Sequence, residues 1–373
     1  MKKLGFGAMR LPLLRPGEQT AVDMETAKQM FDTYLAAGYT YFDTAYFYHE
    51  GKSEEVLREL VVKRYPREAF TLTDKLPNLA KLEPEQMQTF FDEQLARCGV
   101  EYFDYYWLHS VTGANIENVE RIGAFDFLKQ KKAEGKTRHI GFSYHDGAEL
   151  LDRILTAHPE VEYVQLQINY LDWEDEKIQS RKCYEVCVKH HKPVIVMEPV
   201  KGGSLVNLPE EAKKVLDDLH GGSPASYAIR FVAGFPGMMM VLSGMSNMEQ
   251  MQDNISFMRD FKPLDETERA AVEKVQEIFH SKNLIPCTAC RYCTDICPKH
   301  ISIPDLFAIM NTKQIHHNWN ADCYYEDVHT APGRKASDCL KCGKCEKVCP
   351  QHLPIRKLLE QVAAEFEKAP AAN

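Results

Sequence analysis

The chain has no hydrophobic run long enough to cross a bilayer. Its longest apolar stretches, such as residues 238–242, fall far short of the roughly 20 residues that a transmembrane helix needs. The first ten residues also lack the apolar segment of a secretory signal, because glycines and charged residues interrupt them. We therefore expect a soluble, cytoplasmic protein with no membrane partner.

An excess of positive charge is also missing. The chain carries 45 Lys and Arg against 54 Asp and Glu, a net charge of −9. Phosphate backbones are bound by clustered cations, so this balance argues against a nucleic-acid partner. A complete strand-coupled G-x-G-x-x-G motif is absent too: Gly5-Phe-Gly7 lacks the third glycine, and a Rossmann domain is not indicated.

Cysteine is abundant, with twelve residues, and eight of them form two identical C-x2-C-x2-C-x3-C-P frames. A zinc site would need two C-x2-C pairs closing one tetrahedron, and a disulfide framework would need a small secreted chain. The observed spacing is the bacterial pattern for two 4Fe-4S clusters, in which each fourth cysteine reaches across to the partner cluster. The predicted ligands are Cys287, Cys290, Cys293, Cys297, Cys339, Cys342, Cys345 and Cys349.

The charge around these frames differs from that of the rest of the chain. Residues 281–357 hold eleven Lys and Arg against seven Asp and Glu. In one interpretation, Lys341, Lys344 and Lys347 only offset the negative charge of the clusters. In the other, they form a docking face for an acidic electron carrier such as a ferredoxin or a flavodoxin.

From residue 1 to about 260, short β-branched or aromatic runs alternate with helical patterns, one of which predicts a single helix from Val119 to Glu134. This rhythm is typical of a parallel sheet, and eight repeats predict a (β/α)8 TIM barrel of the α/β class. We predict a barrel over 1–262, a linker helix over 263–283 and a small ferredoxin-like two-cluster module over 284–373. The candidate strands are Leu4 to Ala8, Thr40 to Asp43, Phe70 to Lys75, Phe103 to His109, Arg138 to Phe142, Tyr163 to Gln167, Val194 to Met197 and Met239 to Leu242.

Chemically active residues lie where several of these strands end, which is where TIM barrels place their active sites. Asp43, Lys75 and His109 end candidate strands, and Tyr48 lies in the loop after Asp43. A phenol has a pKa near 10 and becomes a useful acid at neutral pH only when a cation stabilises its phenolate. Lys75 can supply that cation, Asp43 can hold the lysine, and His109 can polarise a substrate oxygen.

At these positions the sequence resembles the aldo-keto reductases. The resemblance is carried by Gly38 to Tyr48, Ser53 to Leu57, Lys75 and Tyr106 to His109, and it covers roughly residues 1–260. It implies reduction of a small carbonyl compound by a tetrad of Asp43, Tyr48, Lys75 and His109, with Tyr48 as the proton donor. The tail resembles bacterial two-cluster ferredoxins, so the whole chain looks like the iron-sulfur-bearing aldo-keto reductases.

The resemblance further implies that NADPH or NADH is the cofactor. It places nucleotide contacts at Ser143, Gln167, Gly202, Ser204, Leu205, Gly244, Ser246, Gln250 and Asn254. Several positions depart from the family pattern. Tyr144 follows Ser143 where an Asn is usual, and Met197 stands where an aromatic ring stacks on the nicotinamide. Gly244 and Gln250 replace the cations that grip a 2′-phosphate, so the sequence does not decide between NADPH and NADH.

Three hypotheses follow. In the first, the barrel reduces a carbonyl with a nicotinamide and the clusters connect it to another redox pool. A nicotinamide gives up two electrons as hydride whereas a cluster takes one, so a flavin, a radical step or a partner must separate the pair. In the second, electrons from the clusters drive the barrel, with or without a flavin, and nicotinamide binding is lost. In the third, the chain is an electron-transfer protein that uses the barrel as a scaffold.

Overall fold

A computed structural model describes residues 2–15, 18–219, 221–282, 284–316, 320–330 and 334–367. One end of the predicted linker and the last six residues of the predicted cluster module lie outside these ranges. Eight strands are present: β1 Leu4–Gly7, β2 Tyr41–Asp43, β3 Thr71–Leu76, β4 Phe103–Val111, β5 Thr137–Tyr144, β6 Tyr163–Gln167, β7 Val194–Met197 and β8 Met238–Ser243.

The eight strands form one closed, parallel barrel in sequence order, with β8 pairing back to β1. The predicted (β/α)8 fold is therefore confirmed, and the strand bounds differ from the predicted ones by no more than two residues. Parallel closure places the carboxyl ends of all strands at one edge. The register pairs Asp43 with Thr73 and Lys75 with Trp107, so the polar ends of β2, β3 and β4 lie side by side.

The helices follow the strands as the βα rhythm requires. The predicted single helix from Val119 to Glu134 is wrong: two helices are separated by Gly123, because glycine is unfavourable inside a helix. The helices are α1 Met24–Ala36, α2 Lys52–Leu57, α3 Pro84–Cys98, α4 Ile116–Arg121, α5 Ala124–Ala133, α6 Ala148–Ala157, α7 Ser180–Lys189, α8 Glu210–Asp217, α9 Pro224–Ala233, α10 Met248–Met258, α11 Glu266–Ser281, α12 Tyr292–Asp295, α13 Ile303–His316, α14 Asn320–Cys323, α15 Lys344–Lys347 and α16 Ile355–Phe366.

Two apolar layers stabilise the barrel. One is a buried cluster of strand side chains: Tyr41, Tyr105, Trp107, Ile195, Met240 and Leu242. Between the strands and the helices, a larger core includes Phe6, Phe31 and Phe42, whose rings meet edge to face or tilted. Aromatic pairs of this kind stabilise a core by about 0.5–1.5 kcal/mol beyond their buried area.

The chain divides into two compact units. The barrel unit comprises Met1–Val200 and Ala225–Glu266, and the cluster unit comprises Lys201–Pro224 and Thr267–Asn373. This division differs from the contiguous one expected from sequence, because residues 201–224, which follow β7, group with the C-terminal region. The cluster unit has its own apolar core, in which α13 and α16 supply Leu306, Phe307, Leu359 and Val362.

Within the described ranges, none of the helices is both long enough and apolar enough to cross a membrane.

Candidate functional site

Lys75 lies inside the barrel near the carboxyl end of β3, and its side chain is fully buried. Its ammonium donates to Oδ1 of Asp43 at 2.6 Å and to the carbonyl oxygen of Thr44 at 2.6 Å. The other carboxylate oxygen of Asp43 accepts a weaker bond from Gln165 at 3.4 Å. Burial raises the pKa of Asp43, and the charge of Lys75 acts against that rise. The pair therefore holds a cation rigidly where water is excluded.

Tyr48 lies beside this cation. The Lys75 nitrogen is 4.9 Å from the centroid of the Tyr48 ring, and the ring of His109 meets Tyr48 nearly edge on at 6.0 Å between centroids. The structure therefore brings Asp43, Tyr48, Lys75 and His109 together at the carboxyl edge of β2, β3 and β4. Sequence order alone could not establish this, because 66 residue positions separate Asp43 from His109.

The loop that carries Tyr48 is held in an unusual backbone conformation. His49 and Glu50 both have φ of +54°, in the left-handed region that side chains disfavour. The His49 ring is buried and bridges two backbone groups: Nε2 accepts from the amide of Leu11 at 3.1 Å, and Nδ1 donates to the carbonyl of Gln19 at 2.9 Å. Strained residues persist where surrounding contacts enforce them, often at functional sites. His49 thus fixes the position of Tyr48.

His109 is surrounded in a way that keeps it neutral. Its dense environment lowers the pKa of the imidazole well below the usual value, and the charges of Lys75 and His145 lower it further. A neutral imidazole donates one hydrogen bond without competing as an acid. His109 is therefore suited to orient an oxygen, whereas Tyr48 is the better candidate for proton transfer.

A second cluster of buried side chains, which the sequence did not predict, adjoins the backbone of Lys75. Asp74 accepts from the backbone amide of Lys75 at 2.8 Å and lies 3.7 Å from the thiol of Cys98. The carboxyl oxygens of Asp74 and Glu54 and the Cys98 sulfur all lie within 4.8 Å of one another. Glu54 also pairs with Arg97 at 3.2 Å. Ionisation of both carboxyls is unfavourable when they are buried this close together, so the pair shares one proton.

Asp74 is the group that holds this proton. Burial raises the pKa of Asp74 well above its usual value, and the negative charge of Glu54 and a hydrogen bond to it raise it further. Burial also raises the pKa of Glu54, but bonds from Asp74 and Arg97 oppose the rise. Arg97 therefore favours a charged Glu54 beside a neutral Asp74.

Asp74→Asn should make barrel stability less dependent on pH. A raised pKa in the folded state gives stability that is present below the unfolded pKa of about 4 and is lost as pH rises through the folded value. Asn cannot ionise, so this loss disappears. We expect the wild-type chain to lose unfolding free energy relative to Asp74→Asn as the pH rises above about 4, measured by urea unfolding. The exposed Asp92→Asn is the control; parallel curves for wild type and Asp74→Asn would contradict the shared proton.

The predicted nucleotide contacts of the barrel unit lie along the carboxyl edge, and most already hold the protein together. Ser143 Oγ accepts from the amide of Ser110 at 2.7 Å, beside the irregularity near the end of β4. The Gln167 amide donates to Asp172 at 2.9 Å. Asn254 donates to the hydroxyl of Ser243 at 2.6 Å. These residues shape the edge; their contacts with a nucleotide stay a prediction.

Gly244 follows β8 under the side chain of Arg10. A Cβ at Gly244 would lie only 3.1 Å from Cβ and 3.2 Å from Cγ of Arg10. Ser246 Oγ also donates to the carbonyl of Arg10 at 2.8 Å, and its amide donates to Gln250 at 2.7 Å. The absence of a side chain at Gly244 thus lets Arg10 lie against the segment that leads into α10.

The remaining predicted contacts, Gly202, Ser204 and Leu205, belong to the cluster unit. Gly202 has φ of +64°, and a Cβ there would approach the carbonyl oxygen of Thr288 to 2.3 Å. The neighbouring Lys201 is buried and its ammonium lies 3.4 Å from Oε1 of Gln351. The loop that the resemblance assigned to a pyrophosphate is therefore packed against the cysteine-bearing segments.

The eight cysteines of the two frames line two separate cavities. We call the first cysteine group the four that line one cavity, Cys287, Cys290, Cys293 and Cys349. The second cysteine group lines the other cavity and consists of Cys297, Cys339, Cys342 and Cys345. Each group takes three thiols from one frame and the fourth from the other frame. Four converging thiols are the donor set of a 4Fe-4S cluster, so the residues fit that group.

Sequence reasoning missed several positioning residues of the site. Gln165 is buried on β6 two positions before the predicted Gln167, and this period of two was the available signal. Asp74 and the Thr44 carbonyl gave no such signal, because a backbone acceptor and a buried carboxyl leave no pattern in the sequence. Thr44 is further held by its hydroxyl, 2.8 Å from that of Ser53.

Comparisons with known proteins agree with this architecture. A sequence model of the Aldo/keto reductase family matches residues 3–277, and one of a 4Fe-4S dicluster domain matches residues 286–354. The NADH-specific methylglyoxal reductase of Escherichia coli (strain K12) is 25% identical over 309 residues, covering 69% of this chain and 93% of that protein. The 9,11-endoperoxide prostaglandin H2 reductase of Trypanosoma cruzi is 27% identical over 286 residues, covering 74% and 88%.

A solved structure shows the same barrel. The holo form of an aldo-keto reductase from Bacillus halodurans has a TM-score of 0.59 at 22% identity, covering 73% of this chain and 91% of that chain. At this identity the likeness establishes the fold, while the family model establishes membership because it spans more than half of the chain. The protein is thus an oxidoreductase that belongs to the aldo/keto reductase family and carries a 4Fe-4S dicluster domain after its barrel.

Proposed function

We propose that the barrel reduces a small carbonyl compound with hydride from a nicotinamide nucleotide and a proton from Tyr48. The observation that carries this proposal is the buried ammonium of Lys75, fixed by Asp43 and the Thr44 carbonyl and lying 4.9 Å from the Tyr48 ring. A fixed cation next to a phenol is the arrangement that lets the phenol give up its proton near neutral pH.

Each residue of the tetrad then has a distinct task. As the carbonyl oxygen gains charge, Tyr48 gives it a proton, and the resulting phenolate is stabilised by Lys75 in surroundings where few waters screen the attraction. Asp43 keeps the ammonium in place. His109, neutral because of its surroundings, donates a hydrogen bond that orients the carbonyl oxygen. A reduced nicotinamide, when bound, supplies the hydride to the carbonyl carbon.

We propose that the nucleotide lies along the carboxyl edge near Ser143, Gln167 and Ser246, with its adenosine end at the start of α10. The cation that Gly244 and Gln250 do not provide comes from Arg10, whose aliphatic carbons lie over Gly244. A backbone helix start with a nearby guanidinium favours a phosphate. Arg10 therefore supports binding of NADPH.

Arg10→Met tests this assignment. We expect the affinity for NADPH to fall about tenfold or more, since a lost charged hydrogen bond is worth about 1.5–3 kcal/mol, while NADH binding changes little. The measurement is an anaerobic titration of intrinsic fluorescence with each nucleotide, followed by cofactor extraction. An unchanged ratio of the two affinities would exclude Arg10 as the group that binds the 2′-phosphate, and absence of binding by either nucleotide in the wild-type chain would refute the nicotinamide proposal.

We propose further that the first and second cysteine groups each hold one 4Fe-4S cluster. The support is their donor chemistry, with four thiols converging on each cavity, and the match of this region to a dicluster domain. Bound clusters would store and pass single electrons. The protein component that carries those electrons to or from the chain would be a ferredoxin or a flavodoxin.

A second candidate function is supported by the loop after β7. Leu205 is fully buried and Gly202 packs on Thr288. The loop that the resemblance assigned to a pyrophosphate is therefore packed within the cluster unit. In that case electrons from the clusters drive reduction, directly or through a flavin, and nicotinamide binding is lost. The titration above separates the two candidates, because the second predicts no nucleotide binding and, where a flavin takes part, its release on extraction.

A further inference from the structure

The two cysteine groups differ in their exposure to solvent. None of the residues that line the first group's cavity is exposed, and Thr288 and Gln351 there are almost fully buried. In the second group one of the thiols, that of Cys342, is exposed. The other exposed lining residues are Pro298, Lys299, Leu340 and Lys344. The second group is therefore the more exposed of the two.

Large apolar side chains are exposed beside cysteines of both frames, and one of them, Leu340, lines the second group's cavity. Leu340 is 60% exposed, Val348 39% and Ile296 36%, although each adjoins a cysteine of a frame or lies two residues from one. Large apolar residues exposed together are uncommon on a surface that meets only water, and they are typical of the centre of a protein interface. We call the surface of residues 296–300 and 340–348 the port face.

The charge of the port face is positive. It contains four lysines and a single carboxylate, Glu346. Lys341 is paired with Glu360 at 2.6 Å, and Glu346 is paired with Arg356 at 2.8 Å. In the part of the chain that the structure describes, Lys299, Lys344 and Lys347 form no ion pair, so their charges are available to a partner. The chain as a whole is acidic, with a net charge of −9, which makes this patch distinct.

We propose that the port face docks an acidic one-electron carrier protein, and that the second cysteine group exchanges electrons with it while the first group is the inner site. This rests on the proposed function, in which both groups hold clusters. One electron passes in each encounter: the reduced carrier loses one, the chain gains one, and no bond breaks. Exposed apolar side chains together with lysines that form no ion pair among the described residues match an acidic protein surface around a redox centre.

Charge reversal at the port face tests the proposal. The variant is Lys344→Glu/Lys347→Glu, and the matched control is Lys182→Glu/Lys262→Glu, which changes the net charge of the chain equally at two exposed lysines of the barrel unit. Reduction of the iron-loaded chain by a reduced acidic ferredoxin is followed anaerobically by stopped-flow absorbance. At low ionic strength we expect the port variant to be reduced at least about tenfold more slowly, and the control within about twofold of wild type.

Salt and a small reductant supply two further readouts. The difference between the variants should shrink at high ionic strength, because surface charges are then screened. Reduced methyl viologen, a small cation, should reduce the port variant at least as fast as wild type, which shows that the clusters themselves are intact. Iron content is measured in each variant. If the double reversal loses iron, Lys344→Gln/Lys347→Gln gives the same comparison with a smaller expected effect of about threefold.

The possible results separate docking from the proposed function. Equal ferredoxin rates in iron-loaded wild type, port variant and control would overturn the docking proposal and leave the cluster assignment intact. A wild-type chain that binds no iron under anaerobic reconstitution would overturn the cluster assignment itself. Slow reduction by both ferredoxin and methyl viologen in the port variant would point to damaged clusters, and would also count against docking.

Discussion

Tyr48→Phe is expected to lower the rate of nucleotide-dependent carbonyl reduction by about 10²–10⁴-fold, the range found when a positioned proton donor is removed. Phe keeps the ring beside Lys75 and His109, so packing is preserved and only the hydroxyl is lost. The loss should appear in kcat, with nucleotide affinity nearly unchanged, because the phenol acts on the developing charge of the transition state.

The chain contains a matched control for this substitution. Tyr46, two residues away in the same loop, bonds through its hydroxyl to Glu93 at 3.1 Å and to Arg97 at 3.2 Å, outside the tetrad. Tyr46→Phe therefore removes a phenol from the same region without touching the proposed chemistry, and we expect activity within about threefold of wild type. The assay follows nucleotide oxidation with a panel of small aldehydes and ketones under anaerobic conditions.

Two results would contradict the role of Tyr48. Full activity of Tyr48→Phe would exclude it as the proton donor and favour a mechanism driven by the clusters. Equal losses in Tyr48→Phe and Tyr46→Phe would indicate that the loop is disturbed as a whole. The pH profile adds a separate readout: loss of the Tyr48 hydroxyl should abolish any dependence of kcat on the ionisation of that group.

Gly202→Val is expected to remove most of the iron from the cluster unit. Gly202 has φ of +64°, and any Cβ there would lie 2.3 Å from the carbonyl oxygen of Thr288, closer than real contacts permit. A left-handed conformation costs a side chain about 1–2 kcal/mol, and a β-branched one more. The backbone at Thr288 must then move, and Thr288 lines the cavity of the first cysteine group next to Cys287. Displaced thiols bind clusters poorly.

Gly135→Val is the control for Gly202→Val. Gly135 has a similar φ of +72°, but no heavy atom lies within 4 Å of the position of its Cβ. Gly135→Val therefore has the unfavourable left-handed backbone conformation but no steric clash. The difference in iron content between the two variants then measures the effect of the contact with Thr288. The measurements are iron content, visible absorbance and circular dichroism. We expect Gly135→Val to keep its iron; wild-type iron content in Gly202→Val would show that the loop after β7 does not support the first cysteine group.

Much of the fold was predictable because it depends on local patterns. The eight strands were found from short apolar runs, since strand residues must face either the core or the helices, and the closed barrel followed from their number. The helix at Val119 to Glu134 was misjudged because the interruption at Gly123 is a single residue within an otherwise helical pattern. The grouping of 201–224 with the cluster unit gave no local signal, because it arises from contacts such as Gly202 with Thr288.

The candidate site divides in a similar way. The residue types of the tetrad could be read at the strand ends, because a parallel barrel gathers those ends at one edge. The distances between the tetrad residues could not be predicted from the sequence. The supporting pair of Asp74 and Glu54 could not be predicted either, because the two carboxyls share a proton only when they are buried together. The lysines of the cysteine frames were visible in the sequence, but only the structure distinguishes Lys341, paired with Glu360, from Lys344 and Lys347, which form no ion pair with the residues that the structure describes.

The sequence by itself determined the class of chemistry and the class of fold. Cysteine spacing is a local property that specifies the donor set, and strand periodicity is a local property that specifies the barrel. The tertiary structure decided which thiols share a cavity, which cysteine group is the more exposed, and which charges are paired. All three depend on burial and on contacts between segments that are distant in the sequence. In a low-dielectric interior such contacts determine the energy of a charged group, and sequence position alone does not.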